Sequence, residues 1–126
     1  MTAAKKKAAK RKPKASLHDI IISSIQEKKG DNIVSLDLRK IPDAVADFFI
    51  LCDGESTTQV RAIAENIIKT TEEKLNEPPY HKEGLNNLEW VLLDYVDVLV
   101  HVFKKEARGF YQLEDLWHDA KKNKFE

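Results

Sequence analysis

The spacing of apolar residues changes along this chain, and the changes predict alternating helices and strands. After Ser16, a good N-cap, apolar side chains recur at helical intervals until Gly30. Two short apolar runs follow, residues 33–38 and 46–52, and each predicts a strand. The second run is apolar on both faces, which is typical of a central strand that is covered on both sides.

The second half of the chain predicts another helix, a short strand, a hairpin and a last helix. Ser56 and Gln59 form a capping box for a helix over 57–76, and Pro78-Pro79 prevents its continuation. A short strand is expected around Tyr80. Because strands and helices alternate, the order favours an α/β fold, a single domain with a mixed β-sheet flanked by helices.

The hairpin has its turn within residues 94–97 and predicts two different faces. A two- or four-residue loop pairs Trp90 with His101 and Leu93 with Val98. The first face is aliphatic and consists of Val91, Leu93, Val98, Val100 and Val102. The second face carries the rings of Trp90, His101 and Phe103, together with Leu92 and Leu99. The aliphatic face is a core face. The second is either a docking surface, since large rings anchor interfaces, or a face covered by a helix with Trp90 in a core.

Charge divides the chain into a basic tail and an acidic body. Residues 1–15 hold seven bases and no acid, and they lack the apolar side chains needed to fold alone. The remaining residues hold 14 bases and 21 acids, a net charge of −7. We expect a disordered tail over 1–15, a domain over 16–120 and a C-terminal tail over 121–126. The basic tail is either a solubilising extension or a weak, salt-sensitive contact to RNA.

Residues suited to catalysis or metal binding are sparse. The four histidines lack zinc-site spacing, so no metal or cofactor is expected. Cys52 is the single cysteine, which fits a reducing cytoplasm. An alternative function, a nucleotide-binding or nucleotidyltransferase-like enzyme, would use Asp94 and Asp97 for magnesium and the Gly54-Glu55-Ser56 loop for phosphate. Glu55 would repel that phosphate.

The chain resembles a known family from residue 17 to about 120. The runs that carry the resemblance are Ala46 to Phe49, Gln59 to Ala64, Glu83-Gly84, Trp90 to Tyr95, Asp97-Val98, Val100 to Phe103, and Arg108 to Trp117 with gaps. In this order they resemble the ribosomal silencing factor family (RsfS, also called Iojap-like). One departure is Val96, where the family usually has glycine. A β-branched residue resists positive φ, so the turn either has four residues or is strained by roughly 1–2 kcal/mol.

The resemblance implies a translational silencer that is not an enzyme. Family members bind the large ribosomal subunit through its fourteenth ribosomal protein and block subunit joining when nutrients are scarce. Their fold looks like that of nucleotidyltransferases without the catalytic site. The contact residues that the resemblance implies are Trp90, Tyr95, His101, Phe103 and Tyr111, with Asp94 and Asp97 in support. A homodimer through a sheet edge stays open.

Overall fold

A computed structural model describes residues 16–111 and 119–126, and the backbone alone for residues 110 and 111. The predicted basic tail over 1–15 lies outside the described residues. The helices are α1 (Leu17–Glu27), α2 (Thr57–Leu75) and α3 (Lys105–Tyr111). The strands are β1 (Asp31–Asp37), β2 (Phe48–Gly54), β3 (His81–Glu83), β4 (Trp90–Asp94), β5 (Val98–Lys104) and β6 (Lys121–Phe125).

The strands form one mixed sheet in the order β3-β4-β5-β2-β1-β6. β2 runs parallel to β5 and antiparallel to β1, while β3, β4 and β5 pair antiparallel. This confirms the predicted α/β class, the mixed sheet and the central position of β2. The likeness to nucleotidyltransferases stays a prediction.

Side-chain caps fix the two long helices where the sequence predicts them. The Ser16 hydroxyl accepts a hydrogen bond from Asp19 N, and the Ser56 hydroxyl accepts one from Gln59 N, each at 3.1 Å. Such bonds satisfy N–H groups that the first helical turn leaves without partners. At its other end, α2 stops at Asn76 in the left-handed conformation, before the two prolines.

Each face of the sheet packs against its own hydrophobic core. α1 and α2 cover one face, burying Ile21, Ile25, Ile63 and Ile67 completely against the strands. The opposite face holds a smaller cluster in which Leu36, Leu51 and Phe103 are fully buried, with partly buried residues 41, 44 and 46 packed against it. Ala107 of α3 completes this second cluster. The sheet is therefore interior on both sides.

The predicted C-terminal tail over 121–126 is wrong as a description of the backbone. Lys121–Phe125 is β6, which pairs antiparallel with β1 and places Phe125 beside Ile33. The three lysine side chains are exposed, as expected. Both outer strands of the sheet, β3 and β6, thus carry charged side chains, which disfavour pairing with the edge of a second copy.

None of the helices in the described ranges is long and apolar enough to cross a membrane.

Candidate functional site

The hairpin of β4 and β5 carries most of the predicted contact residues, and its register differs from the prediction by two residues. Trp90 pairs with Phe103 and Leu93 with Val100, so the expected pairs Trp90–His101 and Leu93–Val98 are wrong. An even shift leaves each side chain on its predicted face. The aliphatic face accordingly lies in the first core, as predicted.

The second face of the hairpin is partly covered, and Trp90 packs against the second core from its half-buried position. Phe103 is fully buried and His101 is 5% exposed, whereas Trp90 is half-buried. The Trp90 and Phe103 rings stack with centroids 5.2 Å apart, and the His101 and Phe49 rings lie at 4.9 Å. These ring contacts connect β4, β5 and β2 in the interior of the protein.

The position of His101 fixes its tautomer. Trp90 Nε1 can only donate, and it lies 3.0 Å from His101 Nδ1, so Nδ1 accepts and the ring proton sits on Nε2. His101 Nε2 is buried, and none of the residues that the structure describes gives it a hydrogen-bond partner. Burial lowers the pKa of this histidine to about 4, so the ring is neutral at physiological pH.

The tip of the hairpin is a tight, strained turn. Val96 has a φ of 73°, and Asp97 N donates to Tyr95 O at 2.9 Å, a bond across a single residue that defines a γ-turn. Asp94 Oδ1 accepts a hydrogen bond from Val96 N at 2.7 Å and supports the turn. Neither turn considered from the sequence is present, because both required the pair Trp90–His101, but Val96 does adopt the positive φ that was expected to strain a short turn.

The other predicted contact residues are divided between the interior and the tip. Tyr95 is 5% exposed, and its hydroxyl shares a hydrogen bond of 2.9 Å with the Thr71 hydroxyl. Burial raises the pKa of Tyr95 to about 12. Asp97 is exposed and Asp94 is half-buried. Tyr111 ends α3, and its side chain lies outside the described residues.

Three large apolar side chains are exposed in the described part of the chain: Val45 at 67%, Tyr80 at 82% and Val96 at 59%. The backbone joins their segments at the hairpin tip. Tyr80 N donates to Asp94 O at 2.7 Å, and Asp47 N donates to Asp97 O at 2.8 Å. We call Val45, Tyr80 and Val96 the tip patch; the sequence singled out Val96 for its turn alone.

The loop considered for phosphate binding is already occupied by the protein's own side chains. Gln59 Oε1 accepts a hydrogen bond from Glu55 N at 2.7 Å, and Ser56 caps α2. The Glu55 carboxylate lies 3.4 Å from Lys105 Nζ. In the described residues no group of three or more His, Cys, Asp or Glu side chains is placed to hold a metal ion. The backbone N–H of Glu55 and the hydroxyl of Ser56 are thus already bonded within the protein.

A buried ion pair fixes α3 to the sheet at the end opposite the tip. Arg108 Nη1 lies 3.2 Å from Asp53 Oδ2 and also donates to the Asn32 carbonyl oxygen. The Asp53 side chain is 2% exposed and that of Arg108 is 11% exposed. Asn32 Nδ2 donates to the same carboxylate at 3.1 Å, so both Arg108 and Asn32 stabilise the buried charge of Asp53. No local sequence pattern predicts this pair.

Known proteins resemble this chain along nearly its whole length. The family model described as ribosomal silencing factor during starvation matches residues 10–126. The chain belongs to the ribosomal silencing factor family. A Bacillus subtilis protein named ribosomal silencing factor RsfS is 42% identical over 106 residues, 83% of this chain and 87% of that relative.

A solved structure shares the fold of this silencing-factor chain. The crystal structure of a Chromobacterium violaceum protein superposes with a TM-score of 0.76 at 31% identity, covering 81% of this chain and 83% of its own. A more distant relative is a mouse protein named mitochondrial assembly of ribosomal large subunit protein 1. It is 26% identical over 79% of this chain and 44% of its own length.

Proposed function

We propose that this silencing-factor chain binds the large ribosomal subunit through its fourteenth ribosomal protein and blocks joining of the small subunit. It thereby represses translation in the cytoplasm under nutrient limitation, and it acts by occlusion and not by catalysis. The observation that carries the proposal is the family match. It covers residues 10–126 and therefore includes every helix and strand that the structure describes.

The names of the relatives support a ribosomal partner. The Bacillus subtilis relative is named a silencing factor, and the mouse relative is named for assembly of the large ribosomal subunit. Steric occlusion needs a rigid body that keeps its shape when it is bound. The two cores and the strand-to-strand ring contacts of this fold provide such a body.

The predicted contact residues would contribute in two ways. Asp97 is exposed and Asp94 is half-buried at the tip, so these two are in a position to touch a partner. His101 and Phe103 are buried, so they would support the hairpin from inside, with Trp90 packed between them and the surface. For His101 and Phe103 this interior role replaces the direct contact that was expected from the sequence, whereas the half-buried Trp90 remains a proposed contact. Tyr111 remains a proposed contact.

Co-sedimentation tests the proposal. The full-length protein is mixed at micromolar concentration with large subunits purified from Bacillus subtilis, whose own silencing factor is 42% identical. We expect the protein to pellet with the large subunit and not with the small one. If it stays in the supernatant while a known large-subunit binder pellets, the proposed function is wrong.

The basic tail is proposed to add a weak contact to ribosomal RNA. Its seven bases and lack of acids suit phosphate contacts, which release counterions and weaken as salt rises. Deleting residues 1–15 should therefore lower the salt dependence of subunit binding. An unchanged salt slope would leave the tail as a solubilising extension.

A further inference from the structure

The three segments that carry the tip patch are brought to the same end of the sheet by strand pairing, although they lie far apart in sequence. They come from the loop before β2, the segment before β3 and the turn between β4 and β5. Backbone hydrogen bonds at 2.7 Å and 2.8 Å fix the two outer segments to Asp94 and Asp97, on either side of Val96. Tyr80, 82% exposed, is the side chain best suited to anchor a partner, since tyrosine adds large contact area and a polar hydroxyl.

Acids predominate at the tip patch, although Arg39 lies close enough to Asp47 for the two charges to interact. The three tip segments, residues 43–47, 77–80 and 94–97, contain five acids and no lysine or arginine. The acids are Asp43, Asp47, Glu77, Asp94 and Asp97, which we call the tip carboxylates. All but Asp94 are exposed. Partial desolvation raises the pKa of Glu77, and the charge of Asp97 raises it further, so these two acids lie close enough to interact.

The backbone of the tip is strained at Val96. Positive φ is unfavourable for a β-branched residue, and Val96 adopts it while exposing its side chain to solvent. Such strain persists only where the surrounding structure enforces it, and it is concentrated at functional sites. The turn places an aliphatic side chain at the outermost point of the hairpin, between Asp94 and Asp97.

We propose that the tip patch with its tip carboxylates is the docking surface of this protein, and that it takes a basic protein surface and not RNA. The inference rests on the proposed function and names the chemistry of the partner. Lysine and arginine side chains can make two kinds of contact with this surface. Their charged ends pair with the carboxylates, and their aliphatic stems cover the apolar side chains. RNA phosphates would be repelled by the same acids.

Two sets of variants of the full-length chain test the surface, with Kd measured on large subunits from Bacillus subtilis. Tyr80→Ser, and Val45→Ser combined with Val96→Ser, remove the apolar contacts. Each should weaken binding by about tenfold or more. Asp47→Asn combined with Asp97→Asn removes two charges and should weaken binding and reduce its salt dependence. Circular dichroism checks that each variant is folded.

Glu65→Gln is the control for charge. Glu65 is exposed in the middle of α2, outside the three tip segments and on a different helix from Tyr111, so its neutralisation should leave Kd unchanged. If the wild-type protein binds and the folded apolar variants bind equally well, the docking surface is wrong and the proposed function stands. If neutralising Asp47 and Asp97 tightens binding, the tip faces RNA and the partner is wrong. If the wild-type protein fails to bind, both proposals are wrong.

Discussion

Acid should destabilise this protein through His101 more than through an ordinary surface histidine. In the folded state burial lowers the pKa of this ring to about 4, while an unfolded chain has a histidine pKa of about 6.5. As pH falls below 6.5, the unfolded state binds a proton that the folded state does not. The stability contributed by the neutral ring is therefore present above pH 6.5 and is lost as pH falls towards 4.

The size of the effect follows from the shift. A difference of about 2.5 pKa units corresponds to a loss of roughly 3 kcal/mol of stability over the whole pH range in which the ring titrates. About 2 kcal/mol of that loss falls between pH 7 and pH 5. The structure adds a cause besides burial. Protonation at Nδ1 would place a second donor against Trp90 Nε1, so the 3.0 Å hydrogen bond between the two rings would be lost.

The assay is urea unfolding at pH 7 and pH 5, followed by tryptophan fluorescence, for the wild-type protein and for His101→Gln. Glutamine does not titrate, and its amide oxygen can accept the bond from Trp90. Carboxylates titrate alike in both proteins, so the difference between their losses isolates His101. The wild-type protein should lose about 2 kcal/mol more than the variant. A difference below about 0.5 kcal/mol would refute the argument. That value is one tenth of a typical domain stability of about 5 kcal/mol, and smaller differences in unfolding free energy are not resolved by the assay.

Three further substitutions test other parts of the structure by the same unfolding measurement. Val96→Gly should stabilise the protein by about 0.5–1 kcal/mol, because relief of positive φ exceeds the added entropy of the unfolded chain; a loss of stability would contradict the γ-turn. Arg108→Met should cost about 3–5 kcal/mol, because Asp53 is left charged and buried, and Asp53→Asn in the same chain should recover part of it. Gly84→Ala should cost more than about 1 kcal/mol, because φ is +89° and a Cβ would lie 2.0 Å from Trp90 O; an unchanged stability would show that the loop can move.

The faces of the hairpin were predictable from sequence, but its register was not. Alternating apolar residues specify which side chains share a face, and a shift by two residues preserves every face. The pattern therefore allowed both the expected pair Trp90–His101 and the observed pair Trp90–Phe103. The turn decided between them. Its one-residue bond across Val96 is set by backbone contacts at the tip, among them those from Asp47 and Phe48 to Asp97 O.

The last strand was missed because its sequence lacks an apolar pattern. Lys121–Phe125 is an edge strand whose side chains are exposed except for the half-buried Phe125, so four of its five residues need not be apolar. Charged residues protect edges of this kind, and the same residues are typical of a solvated tail. The pairing with β1 supplies the backbone hydrogen bonds that distinguish the two.

The surface proposed for docking could not be read from spacing along the chain. Val45, Tyr80 and Val96 are isolated apolar residues in loops, each ordinary by itself. Their segments reach the same end of the sheet because β4 lies between β3 and β5, and because β5 pairs with β2. Burial of the second hairpin face likewise depends on residues 41–46 and Ala107, which lie far from Trp90 in sequence.

Subunit joining is the measurement that tests the central claim most directly. Small and large subunits from Bacillus subtilis are mixed, and their association is followed by light scattering with and without an excess of the full-length protein. The account predicts that the wild-type protein suppresses the scattering increase when it is added first to the large subunit, and that Tyr80→Ser needs about tenfold more protein to do so. Full association in the presence of saturating wild-type protein would contradict the account.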